Sequence, residues 1–251
     1  MADFALSLAR DAMPLALARF RRPMQIETKA DDSPVTVADR EIEALIRRRI
    51  GETFPDHGIH GEEEGAQNTG RRHVWVVDPI DGTRSFVSGM PTFGTLLAHL
   101  IEGRPVVGVI AIPATGEIWH GIAGQGAWFG AAPCRSSGCA RLSRARLYAT
   151  SPDLFDAPGR AAFERVSRRA AMRRFGGDCY AYGLLASGHV DAVVEMDLQP
   201  YDYLALVPVV EGAGGVISDW QGAPLRLGSS GHVVAAATPA LHAEIMAHLA
   251  G

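Results

Sequence analysis

A chain of 251 residues, 47% hydrophobic and 21% charged, is long enough to bury a substantial core and has the balance of a folded globular protein. Its formal charge of −4 offers no basic stripe for nucleic acid, and no apolar run approaches the length of a membrane span. Cys134, Cys139 and Cys179 are neither a disulfide framework nor a zinc-spaced set, so a reducing compartment is expected. The N-terminus, with Asp3 and Asp11 among its arginines, has no signal-peptide pattern, and a cytoplasmic location is expected.

Residues 3–20 set Phe4, Leu8, Leu15 and Leu17 among small residues, which predicts an amphipathic helix kinked at Pro14. An extended stretch follows at Pro34 to Val37. The segment ADREIEALIRRRI then repeats Ile42, Leu45, Ile46 and Ile50 at helical spacing, with Asp39 near the helix start, where a carboxylate is favoured. Residues 64–73 read as a polar loop. VWVVD, TLLAHLI and PVVGVIAI, between 74 and 112, read as strands, with a turn at Gly103-Arg104-Pro105. The second half alternates: strand near 146–150, helix near 158–170, strand near 172–175, helix near 178–187 and strand VDAVVEM. A helix from Tyr203 to Glu211, a strand GGVISD and a helix near 239–249 complete it. Such alternation predicts stacked layers in one domain over 1–251, with halves at about 1–135 and about 140–251.

VWVVDPIDGTRSF carries the sharpest chemical signal. A strand ends at Asp78, Pro79 cannot donate to a ladder, and Asp81 follows close enough for a turn to aim both carboxylates at one point. Gly82 and Thr83 then open a helix whose N–H groups would receive an anion. Carboxylates beside an anion-binding turn describe a site for magnesium or manganese, because the ligands are all oxygen. Taken alone, however, Asp-Pro and Asp-Gly also serve as ordinary turn formers. Gly61-Glu62-Glu63-Glu64 alone reads as a solvated acidic loop, Asp202 alone reads better as a helix N-cap, Asp81 and Asp178 have the same N-cap alternative, and Asp39 alone carries no catalytic assignment.

In order along the chain, Lys29 to Asp39, Gly61-Glu62-Glu63, Trp75 to Phe86, Tyr201-Asp202 and Glu211 to Val216 resemble the inositol-monophosphatase superfamily over nearly the whole length. The resemblance implies an α/β five-layer αβαβα sandwich, two or three Mg²⁺ ions with Mn²⁺ as a substitute, and a homodimer. It implies metal ligands at Glu62, Asp78, Asp81 and Asp202 and at the Ile80 carbonyl. Gly82 and Thr83 match phosphate-holding positions, Thr83 and Glu62 the pair that orients the attacking water, and Lys29 and Asp39 positions near a third metal. The implied reaction is hydrolysis of a small phosphate monoester by metal-activated water, with no covalent phosphoenzyme and no nucleic-acid or membrane partner.

Substrate choice rests on Asp178 and Glu195, which match positions toward the alcohol end of the substrate. Two carboxylates there suit a cationic alcohol, and the surrounding segments resemble the histidinol-phosphate phosphatase branch. Ser85 stands where many superfamily members have asparagine, a departure that weakens an inositol-specific assignment. An inositol or broad sugar-phosphate phosphatase is the main rival, ahead of a 3′-nucleotidase or a non-catalytic metal-binding protein.

Overall fold

The fold was analysed in a computed structural model that describes the backbone of residues 1–23, 26–28 and 34–251, and side chains at 1–23 and 36–251. Lys29, expected near a third metal, lies outside the described residues. Helix α1 (Ala2–Arg19) buries Ala5, Leu8, Ala9, Ala12 and Ala16, a small-residue face that allows close approach, and runs unbroken through Pro14. Helix α2 (Val37–Thr53) buries Ile42, Ile46 and Ile50 at the predicted helical spacing. Its start is a capping box. The Thr36 side chain accepts from the Ala38 N–H at 3.1 Å, and the Asp39 side chain accepts from the Thr36 N–H at 2.9 Å.

The remaining helices are α3 (Thr83–Ser88), α4 (Ala157–Ser167), α5 (Tyr180–Ala186), α6 (Pro200–Tyr203), α7 (Leu206–Gly212) and α8 (Pro239–Ala250). Among the described residues an eight-stranded sheet runs in the order 132–133, 126–129, 117–122, 104–112, 94–101, 73–81, 58–61, 65–67. A five-stranded sheet runs 172–175, 146–149, 192–195, 233–236, 216–219. Helices α1 and α2 cover one face of the larger sheet through Trp75, Val77, Leu97 and Val109. Helices α5 to α7 fill the space between the sheets, and α4 and α8 close the far side of the smaller one. The result is the expected αβαβα stack. Among the described residues no helix is long and apolar enough to cross a membrane.

Several local features differ from the sequence expectation, each for a physical reason. The strand expected to end at Asp78 continues through Pro79 to Asp81, but its ladder to 94–101 shifts register, with Asp78 opposite Leu96 and Asp81 opposite Gly94. Pro79 therefore bulges the strand rather than ending it, and its carbonyl accepts from the Thr95 hydroxyl at 2.9 Å. Part of the polar loop is a strand, Gly65–Gln67, folded back antiparallel on Ile59–Gly61. The helix expected from Tyr203 to Glu211 is two short helices, α6 beginning at Pro200 and α7 containing Pro208. Phe93 is fully buried beneath the site, as expected, whereas Met90 is 51% exposed.

Helix α7 sits directly on sheet backbone. A Cβ on Gly108 would lie 2.0 Å from the Ala205 carbonyl oxygen, and one on Gly121 would lie 2.1 Å from that of Pro208. Only glycine lets the helix approach so closely, and the same chain segment carries Asp202. Gly121→Ala is expected to destabilise the protein by about 1–3 kcal/mol through overpacking against backbone. An unchanged urea midpoint would show that the contact is not tight.

Candidate active site

Four segments converge on a cleft of about 400 Å³ between the two sheets, with Glu62, Asp78, Ile80, Asp81, Gly82, Thr83, Asp178 and Asp202 on its walls. The bulge in strand 73–81 presents Asp78 and Asp81, and the first turn of α6 presents Asp202. One carboxylate oxygen from each of these three lies within 4.8 Å of the others. Asp39, Glu62 and Glu63 form a second such group under the same limit. Asp202, expected as an N-cap if read alone, instead takes the third position of α6, as Asp39 does in α2; Gln199 and Thr36 are the N-caps, and each acid closes a capping box by accepting the N-cap N–H. The Gln199 N–H donates to Asp202 Oδ2 at 2.7 Å, and the Thr36 N–H and hydroxyl donate to Asp39 Oδ2 at 2.9 and 2.6 Å. Capping uses one oxygen of each acid and leaves the other for the cluster.

The charge arrangement is unfavourable without a cation. Burial pushes Asp78 well above the usual carboxylate range, reinforced by the charges of Glu62, Asp81 and Asp202. Asp81 is raised to about 7, first by burial and then by Asp178, against the lowering effect of the Cys179 N–H that donates to it at 2.7 Å. Burial and the Asp81 charge raise Asp202 well above the ordinary range. Asp39 is raised to about 6 by burial, opposed by its Thr36 hydrogen bonds. Asp39 Oδ1 and Asp78 Oδ1 are buried with no hydrogen-bond partner. Buried oxygens without donors, gathered among like charges, fit a hard divalent cation with oxygen ligands. Among the described residues, Asp39, Glu62, Glu63, Asp78, Asp81 and Asp202 form the two groups able to hold such ions.

The anion side is built on one glycine. Gly82 has φ +77° at the start of α3, and a Cβ there would lie 2.8 Å from Asp178 Cγ. A left-handed backbone and close approach both require glycine. Thr83 Oγ1 donates to the Ile80 carbonyl at 3.1 Å. Asp178, itself at φ +44°, accepts on Oδ2 from Ser85 Oγ at 2.6 Å and Thr92 Oγ1 at 2.7 Å. Glu195, expected against the substrate, is buried and does not line the cleft. It stands behind Thr150, whose N–H and hydroxyl both donate to its Oε1 at 2.9 Å, and burial raises it to about 8. Thr150 and Asp197 line the wall instead.

Sequence reasoning assigned no role to Glu63, Thr92, Thr150 or Asp197. Adjacency to Glu62 was an available signal for Glu63. Thr92 and Thr150 act on partners 86 and 45 residues away, a relation that no local spacing encodes.

The sequence profile of the inositol monophosphatase family matches residues 1–251. The chloroplastic bifunctional phosphatase IMPL2 of Arabidopsis thaliana is 43% identical over 239 residues, 92% of this chain and 69% of its own. A histidinol-phosphatase of Chlorobaculum parvum is 40% identical over 222 residues, 88% of this chain and 86% of its own. A solved inositol monophosphatase from Zymomonas mobilis superimposes with a TM-score of 0.92 at 41% identity, covering 100% of this chain and 97% of that one. Fold, acidic cleft and these matches define a phosphatase that hydrolyses phosphomonoesters. The chain belongs to the inositol monophosphatase family, whose members depend on metal ions.

The raised carboxylates fix a pH dependence. Asp39 and Asp81 sit near 6 and 7 when folded, against 3.8 for the ordinary group, so the folded state binds the extra protons. Their contribution to stability is full below about pH 4 and is lost as pH rises through about 6 to 7. Magnesium competes with those protons. The rise in melting temperature on adding saturating magnesium is therefore expected to be larger at about pH 8 than at about pH 5. Equal rises at both pH values would count against proton–metal competition.

Proposed function

We propose that this chain hydrolyses L-histidinol phosphate to L-histidinol and phosphate, using two or three magnesium ions, with manganese as a substitute. The carrying observation is the wall next to the metal-type carboxylates, where Asp178 is held by two hydroxyls and Asp197 stands nearby. A phosphate ester whose alcohol bears an ammonium group and an imidazole suits that wall better than a neutral polyol. The resemblance to a histidinol-phosphatase at 40% identity supports the same substrate.

In this reading Glu62, Asp78, Asp81, Asp202 and the Ile80 carbonyl hold the metals, with Asp39 and Glu63 at the outer group. When bound, magnesium supplies charge neutralisation for the phosphate and acidifies the attacking water. Gly82 and Thr83 hold the phosphate by their N–H groups. Thr83 and Glu62 hold and orient the water so that its proton has an acceptor as it attacks phosphorus. Asp178 orients the leaving alcohol. Glu195 acts through Thr150, fixing its N–H and hydroxyl at the cleft wall. The acids serve as ligands and proton acceptors, and no phosphoenzyme forms. A cytoplasmic homodimer completes the proposal.

A second reading, an inositol-phosphate phosphatase, is favoured by the 0.92 TM-score with an inositol monophosphatase. The two separate by kcat/KM with magnesium present. L-histidinol phosphate is expected to be preferred over myo-inositol 1-phosphate by about a hundredfold, or roughly 2.7 kcal/mol. Asp178→Asn should cut kcat/KM for histidinol phosphate by about tenfold or more and spare inositol phosphate. Equal losses on both substrates would mean that Asp178 acts only by bracing the Gly82 turn.

A further inference from the structure

Away from the cleft wall, a buried ion pair on α2 reaches the turn that carries Glu62 and Glu63. The Glu43 side chain is 0% exposed. Its Oε2 accepts from the Glu63 N–H at 2.8 Å, and its Oε1 accepts from the Glu64 N–H at 3.0 Å and from Arg47 Nε at 2.8 Å. Arg47 Nη2 donates in turn to the Gly65 carbonyl, and its guanidinium lies 3.6 Å from the Glu64 carboxylate. The approach is tight: a Cβ on Gly61 would lie 2.1 Å from Glu43 Oε1 and 2.8 Å from Arg47 Nη2. These hydrogen bonds all run within the pair or to backbone of the acidic turn, and the Glu64 carboxylate adds an ion pair to Arg47.

Helical spacing gives the pair its leverage. Asp39, Glu43 and Arg47 recur every four residues and so share one face of α2. Asp39, 1% exposed and with Oδ1 lacking a hydrogen-bond partner, belongs to the group with Glu62 and Glu63. One rigid helix thus supplies one carboxylate of the group and, one turn later, grips the backbone that carries the other two. The separation between Asp39 and the Glu62–Glu63 turn is fixed by α2 rather than by the turn. Glu43 spends its own charge on two amides and a guanidinium, so it braces the group without joining it.

We propose that Glu43, assisted by Arg47, is a positioning residue that sets the divalent-cation affinity of the Asp39–Glu62–Glu63 group. The inference rests on the metal-site reading and is independent of which phosphate ester is cleaved. Outer partners that hold metal ligands typically contribute ten- to a hundredfold in affinity. Losing the carboxylate would leave two amide N–H groups without their acceptor and let the turn reorient.

The test is a Mn²⁺ titration of the whole chain, with free ion counted by electron paramagnetic resonance, on wild type, Glu43→Gln, Glu43→Leu and Arg47→Gln. Asp191→Asn serves as the comparison variant, because it weakens the 2.8 Å pair of buried Asp191 with half-exposed Arg146 at the smaller sheet, which does not carry the turn. The Glu43 variants are expected to weaken one class of Mn²⁺ site by about tenfold or more and leave another as in wild type. Arg47→Gln should do the same to a smaller extent, and Glu43→Gln should retain more affinity than Glu43→Leu. Asp191→Asn should lower the melting temperature and bind Mn²⁺ as wild type does. Folded Glu43 variants whose Mn²⁺ isotherms superimpose on wild type would overturn the inference; if Glu43→Leu does not fold, Glu43→Gln and Arg47→Gln decide by the same criterion. A wild type that binds no Mn²⁺ would overturn the metal reading and this inference together.

Discussion

Six carboxylates in two tight groups of three, with Asp39 and Asp78 buried and the other four half-buried, are the constraint around which the fold is arranged. Like charges at such separations repel, and burial raises the cost of ionising Asp39, Asp78, Asp81 and Asp202, so the arrangement persists only if the surrounding structure over-determines it. It does so through backbone. Asp39 and Asp202 each give one oxygen to a helix start, Asp81 receives the Cys179 amide, and Glu43 fixes the turn bearing Glu62 and Glu63. In every case a group committed to secondary structure holds an acid that electrostatics alone would move away.

The two sheets matter because they bring this geometry from distant parts of the chain. The bulge at Pro79 turns the end of one strand into two metal-type ligands instead of one. Helix α7 is seated on glycines of the larger sheet, which places the segment carrying Asp202 against that bulge. The turn at Asp178 and Cys179, entering from the smaller sheet, touches both Asp81 and Gly82. Ligand geometry and phosphate cradle are therefore coupled through one short segment, and a shift at the sheet interface would reach both.

Much of this was legible in the sequence where the interaction is local. Asp78 and Asp81 are three residues apart, so strand and turn chemistry suffices to pair them, and the isoleucine spacing of α2 dictates its buried face. Asp39 and Asp202 carried no local site assignment for a physical reason: each closes a capping box at its helix start and also joins the cluster, and only the helix-start part is encoded locally. Their place in the site came from resemblance. Pro79 misled because proline usually closes a ladder, whereas here the bulge tolerates it. The strand 117–122 is the return arm of a local hairpin with 104–112 that the sequence reading passed over, whereas 233–236 went unnoticed because it pairs with 192–195, remote in sequence. Glu43, Thr92 and Thr150 were invisible for the same reason.

The most direct test of the central claim is thermal unfolding of Asp78→Asn with and without magnesium, beside wild type, at a pH high enough to ionise the raised carboxylates. Asparagine keeps the shape and removes one buried charge from the cluster. If repulsion among these acids is the cost that cations relieve, the variant should melt higher than wild type in the absence of metal and lose most of the magnesium-induced rise. A variant that melts lower without metal yet keeps the full magnesium response would contradict the account.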